Sequence, residues 1–152
     1  MTKKWMGRSG LLLMVCCWAS LASAAPLAGE FTVTDVAYGA KADGVTDDTS
    51  AIQTCLTACS AVGSIAYFPK GTYKVSSLAV SNGIGGIVCD GTITNMGTAA
   101  VATIVLGAAG SPVTNARFTL KMNQAGGDRW AVMGYDTTGC TFSECVIYGF
   151  PN

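Results

Sequence analysis

The side chains able to do acid–base or metal chemistry fall into a few groups. Three aspartates crowd into six residues, at Asp43, Asp47 and Asp48. Further along stand Asp128, Asp136 and Glu144, with Arg117, Lys121 and Arg129 as the cations of that region. Cleaving a glycosidic bond takes two carboxyl groups about 5 to 10 Å apart, one to protonate the leaving oxygen and one to act as base or nucleophile. Taking a proton from the carbon beside a carboxyl group requires a base and a nearby cation that steadies the developing charge. Nothing local marks the later residues as such a pair, and as scattered surface charges they read as solvated. The chain has no histidine, so the imidazole acid, base and ligand are all missing.

Metal chemistry fares no better. The aspartates do not meet the EF-hand spacing. Cys55 with Cys59 and Cys140 with Cys145 give C-x3-C and C-x4-C spacings, which match no familiar zinc knuckle without histidine. With Cys89 these read as small buried apolar residues, leaving room for one bridge whose partners the sequence does not determine. No catalytic residue, metal or cofactor is therefore expected from the residues present. Trp130 and Tyr135 are open between two roles, platforms for sugar rings or core.

The elements that must position these groups begin after an export signal. Lys3, Lys4 and Arg8 precede an apolar run from Leu11 to Leu21, which the small residues Ala22, Ser23 and Ala24 end. A basic start, a short apolar stretch and an A-x-A site make a secretory signal cleaved after Ala24. The run is too short to span a membrane as a helix, which takes about 20 residues. Cleavage leaves six Lys and Arg against nine Asp and Glu. That acidic balance argues against a nucleic-acid partner or an anionic membrane surface. A secreted, extracellular or periplasmic single domain over residues 25–152 is the expectation.

A strand over Phe31–Val36 leads into a segment with a helical period. Ala51, Ile52, Cys55, Leu56, Cys59 and Val62 share one face, while Ser50, Gln53, Thr54, Thr57 and Ser60 share the other. Asp47 is the expected N-cap, Asp48 the first-turn carboxylate favoured by the helix dipole, and Gly63 the stop. From Ser64 onward short β-branched runs alternate with turn residues. They predict strands at Ile65–Phe68, Thr72–Val75, Gly86–Val88, Thr92–Thr94, Ala102–Leu106, Ala116–Met122, Trp130–Met133 and Cys140–Tyr148. Pro69 with Gly71, Asn82 with Gly83 and Asp90 with Gly91 punctuate them. The runs beginning at Thr114 and Thr138, about two dozen residues apart, hint at the repeat of a solenoid. On periodicity alone a hairpin sandwich stays open.

The segments YGAKADGVTDDTSAIQ (Tyr38–Gln53) and AYFPKGTYKVSSL (Ala66–Leu78) resemble the entry segment of the pectate-lyase-like parallel β-helix proteins. That group includes rhamnogalacturonases, related polygalacturonases, some uronan epimerases and exo-glucanases, and phage tailspikes. The resemblance implies an all-β fold, a right-handed parallel β-helix of the pectin-lyase type with an N-terminal capping α-helix. Gly39, Asp43, Gly44, Asp47, Asp48 and Thr49 then serve the turn and cap, and Pro69, Gly71 and Tyr73 the first corner of the coil. It also implies the N-terminal portion of a secreted polysaccharide-active protein, most like rhamnogalacturonase, polygalacturonase or uronan epimerase and lyase proteins whose catalytic residues lie beyond this chain, with a carbohydrate-binding or adhesion β-helix without turnover, or a tailspike-like protein, as the alternatives. A polysaccharide, uronate-rich, is then the substrate or ligand. The NTD, GHG and RIK motifs of polygalacturonase-like relatives, and the acidic pair between them, have no match in residues 79–152. With room for about four coils after Ser64 and no closing segment at Phe150–Asn152, the chain reads as the N-terminal part of a β-helix domain. Its open C-terminal end would be a place for self-association.

Overall fold

The computed structural model describes residues 29–96, 102–123, 130–135 and 137–149. The export segment with Ala22 and Ala24 lies outside the described residues, as do Asp128, Arg129 and Asp136. The chain winds in coils. The first comprises β1 (Glu30–Thr32), β2 (Asp43–Asp47) and helix α1 (Thr49–Val62). Next come β3 (Ile65–Phe68), β4 (Thr72–Val75) and β5 (Leu78–Val80), then β6 (Gly86–Cys89), β7 (Thr92–Asn95) and β8 (Ile104–Leu106). After these follow β9 (Arg117–Thr119), β10 (Lys121–Asn123) and β11 (Val132–Gly134), and finally β12 (Thr141–Phe142) and β13 (Val146–Tyr148). Equivalent strands stack as sheet A (β1-β3-β6-β9-β12), sheet B (β2-β4-β7-β10-β13) and sheet C (β5-β8-β11).

Every ladder between these strands is parallel. A sandwich of hairpins requires antiparallel neighbours, so the architecture is the right-handed parallel β-helix with one capping helix. Alternation along each short strand sends every second side chain inward, where like positions of successive coils meet. Ala66, Ile87 and Phe118 form one such column, Tyr73, Ile93 and Met122 another, and Leu78 with Ile104 a third. All of them are fully buried, and each large aliphatic or aromatic side chain removed from water contributes about 1.5–3 kcal/mol before entropy is subtracted. Phe118 stacks on Phe142 at 5.0 Å between centroids, joining the two runs whose similarity suggested the repeat. Asn115 and Gly139, equivalent in those runs, both take positive φ, 55° and 66°. The last coil leaves Phe142, Val146, Ile147 and Tyr148 exposed, which is the end to which the expectation of self-association refers.

Helix α1 packs on β1, β3 and β5, filling in the first coil the side that sheet C forms in later ones. Ile52, Cys55, Leu56 and Cys59 are its buried stripe. Its polar face also works. The Gln53 carboxamide donates to the Ala79 carbonyl (2.8 Å) and accepts from the Ala79 N–H (2.9 Å), as a neighbouring strand would. The Thr49 hydroxyl accepts from Ser76 N–H at 3.0 Å, and the Ser60 hydroxyl reaches the Ser81 carbonyl at 3.4 Å. The exposed edge of β5 is thereby satisfied by side chains instead of by another strand.

Several sequence expectations change. The entry strand ends at Thr32 and not Val36, because the chain turns back through Asp35 N–H to Thr32 O at 3.1 Å. Strands β2 and β5 have no counterpart among the runs that the sequence marks as strands. β2 (DGVTD) lacks a strand-like composition and is held by β4, with a bulge between Asp43 and Asp47, so Asp43 and Gly44 lie within a strand where a simple turn was expected. Ala116–Met122 and Cys140–Tyr148 each break into two strands at a corner, at Leu120 and at Ser143–Cys145. No bridge forms among the five cysteines described, all of which are free.

The start of α1 differs too. Asp48, not Asp47, occupies the N-cap position, and no acid stands in the first turn. The Asp48 carboxylate turns away from the helix and accepts the N–H groups of Lys41 (2.7 Å) and Ala42 (3.1 Å), with only 1% of the residue exposed. Asp47, exposed, accepts the Thr49 N–H at 2.9 Å and so satisfies a free donor of the helix from one position further out. Removing Asp48 strands two backbone donors in a buried place, whereas water can replace Asp47. Asp48→Ala is therefore expected to lose roughly 2–3 kcal/mol and Asp47→Ala about 1 kcal/mol. Urea denaturation of the two variants checks this, and equal losses would count against the assignment.

Candidate functional site

The motif aspartates are tied into the backbone. Asp43 accepts from Val45 N–H (2.8 Å), Thr46 N–H (2.7 Å) and the Thr46 hydroxyl (2.8 Å). These bonds, the Thr46 N–H foremost, lower its pKa to about 2. The Thr49 hydroxyl and N–H lower that of Asp47. A general acid for glycoside cleavage must hold its proton near neutral pH, so neither residue can serve as one, and Asp48 is buried beyond reach. Gly39 and Gly44 turn the chain at φ 80° and 72°. Pro69 offers its carbonyl to the Tyr73 hydroxyl at 2.8 Å, and Tyr73 packs edge-on against Phe68. Burial raises the phenol pKa of Tyr73. A Cβ at Gly71 would sit 2.6 Å from that of Ala42, so the corner admits no side chain.

Hollows lined by described residues include two that border the motif and the coils. One, of about 820 Å³, runs along α1 past Thr49, Gln53, Thr54, Thr57, Ser76 and Ser77. Its polar groups are largely spent: Thr54 and Thr57 donate to carbonyls one helical turn back, Ser77 donates to Ala102 O, and Gln53 is engaged by Ala79. The other, about 390 Å³, crosses the coils beside Gly63, Gly85, Asn115, Arg117 and Gly139, with Arg117 exposed.

The outward face of sheet B is different in kind. Alternation and register set Asp43, Thr72, Thr92, Lys121 and Val146 in one row, and Asp47, Lys74, Thr94, Asn123 and Tyr148 in the next. Consecutive rungs stand about 4.8 Å apart. Lys74 is half-buried and Lys121 exposed, and neither forms an ion pair among the described residues. Asp47 stands beside Lys74 on the ladder, but its carboxylate is turned to Thr49. The result is a lateral face of hydroxyls, an amide, a phenol and two ammonium groups, with the carboxylates of Asp43 and Asp47 on its β2 rung engaged by Val45, Thr46 and Thr49; from β4 onward it is suited to hydrogen-bonding a hydroxylated, anionic chain. It holds no free acid pair. Trp130 and Tyr135, open between platform and core in the sequence, are both on the surface at 67% and 43% exposure.

From the sequence alone Arg117 and Lys121 read only as solvated cations, and Lys74 has no part. Alternation within TYKV places Lys74 outward, and that much was legible. Its shared face with Lys121 depends on which rungs stack, which no local pattern records.

A family model described as rhamnogalacturonase A/epimerase, pectate lyase-like, matches residues 31–107, half of the chain. No curated protein matches. Among solved structures, ORF18 of Geobacillus virus E2 superposes with a TM-score of 0.61 at 24% identity, over 79% of this chain. The present chain spans 27% of that protein's length, and the likeness extends to the fold.

Proposed function

The chain belongs to the rhamnogalacturonase A/epimerase, pectate lyase-like family, and on that premise we propose that it is an exported protein whose β-helix engages a uronate-bearing polysaccharide along the outward face of sheet B. The observation that carries this reading is the pair of cations, Lys74 and Lys121, without an ion pair among the described residues and set among Thr72, Thr92, Thr94 and Asn123 on stacked rungs. Carboxylates of the polymer meet the ammonium groups, and sugar hydroxyls meet the threonines and the amide. Binding is the role proposed for these coils, since the carboxylates of the entry motif, Asp43, Asp47 and Asp48, are committed to backbone and hydroxyl donors.

The test is binding of the exported chain to polygalacturonate and to a neutral glucan, followed over a range of salt. Preference for the acidic polymer, weakening as salt screens the charges, is expected. Exposed ion pairs contribute up to about 1 kcal/mol each. Replacing both residues, Lys74→Ala with Lys121→Ala, should therefore weaken binding about tenfold while leaving the melting temperature unchanged. Equal affinity for the neutral polymer, or a double variant that binds as well as the parent, would defeat the proposal.

A further inference from the structure

Asn82 and Gly83 form an exposed turn between β5 and β6 that neither the fold motif nor the binding face uses. The Gly83 N–H points at the Asn82 side chain, 2.9 Å from its Oδ1, and has no backbone acceptor. Glycine carries no Cβ to shield that nitrogen, and its φ of 89° is one that other residues seldom adopt. The nitrogen of one peptide bond and the carboxamide of the preceding side chain are thus held together in water.

We infer that Asn82 is a site of spontaneous deamidation, a slow covalent change that loosens the seam between the capping helix and the coils. The Gly83 backbone nitrogen attacks Asn82 Cγ. The new C–N bond closes a five-membered succinimide as the Cγ–Nδ2 bond breaks, and the amide proton leaves with Nδ2 as ammonia. Water then opens either carbonyl of the ring, giving aspartate or isoaspartate at position 82. Overall one water enters and one ammonia leaves, with no change of oxidation state.

The other described asparagines lack this combination. Asn95 is 5% exposed, Asn115 precedes the buried Ala116, and Asn123 precedes the bulkier Gln124. The turn's surroundings give the change a consequence. A Cβ at Gly83 would lie 2.6 Å from Ser60 O, so the turn is pressed against the last part of α1. Ser60 Oγ reaches Ser81 O at 3.4 Å, Gly85 N–H donates to Ser64 O at 2.9 Å, and Thr114 Oγ1 donates to Asn82 Oδ1 at 3.4 Å. Isoaspartate adds a carbon to the main chain at this clasp, and either product puts a carboxylate there.

Ageing the folded chain at mildly alkaline pH, with peptide mapping and enzymatic methylation of isoaspartate, tests the inference. Asn82 should convert about tenfold faster than any other described asparagine, the effect of roughly 1.4 kcal/mol in barrier. The aged protein should also melt at a lower temperature than an Asn82→Gln variant aged beside it. An Asn82 that stays an amide while the urea-unfolded chain converts would show that the fold protects the turn, and would overturn the inference. Conversion with no fall in melting temperature would overturn its second half, the loosening of the seam.

Discussion

Ile52→Asp or Leu56→Asp should lift the capping helix from the first coil, at a cost of roughly 3–5 kcal/mol each. Both side chains are fully buried, at 0% and 1% exposure, and the elements packed on α1 are β1, β3 and β5. Among the described residues no lysine or arginine belongs to the buried set, so an introduced carboxylate finds no cation there. It either stays charged in an apolar site or is protonated at the expense of stability. A whole domain is stable by only about 5–15 kcal/mol, so the loss is a large fraction of the total. Once the helix lifts, Gln53 and Thr49 leave Ala79 and Ser76, and the β5 edge opens. Thermal unfolding is the measurement, with Thr57→Asp on the exposed side of the same helix as the control. If the melting temperature of Ile52→Asp matched that of Thr57→Asp, the helix would not be covering the coil.

Gly86→Ala should be as damaging for a different reason. Gly86 lies between Ile65 and Arg117 in the sheet A ladder, and a Cβ there would be 1.9 Å from the carbonyl oxygen of Arg117. The obstacle is backbone of the next coil, which can move only if the stack opens. Its φ of 148° is also one that side chains resist. Overpacking and backbone strain together should cost about 3–4 kcal/mol. Gly110→Ala separates the two causes, since Gly110 has φ 78° but nothing within 4 Å of an added Cβ; strain alone there should cost about 1–2 kcal/mol. Equal losses at the two glycines would mean that the coils are not in close contact at Gly86.

The local chemistry of this chain was legible without coordinates wherever the signal lies within a few residues. The stripe Ile52, Cys55, Leu56 and Cys59 has a helical period, Gly63 ends the helix in the left-handed region, and strands β3 and β4 alternate inward and outward as their sequences do. Two motif segments in order were enough to expect parallel coils, which composition alone could not separate from a sandwich. What no residue pattern carried was register. Asp48 appears in the sequence as one more acid near a helix start, and only the return of the chain from Lys41 and Ala42 makes it an enclosed acceptor of two backbone N–H groups. Strand β2 has little strand propensity and exists because β4 supplies its hydrogen bonds. Lys74 and Lys121 lie far apart along the chain yet share one lateral face, because coils of unequal length stack with Thr92 and Thr94 between them. Propensity, capping and alternation act over one or two turns of chain and leave their mark in the sequence, whereas the stacking of coils is decided by burial summed across all of them, and no short segment records that sum.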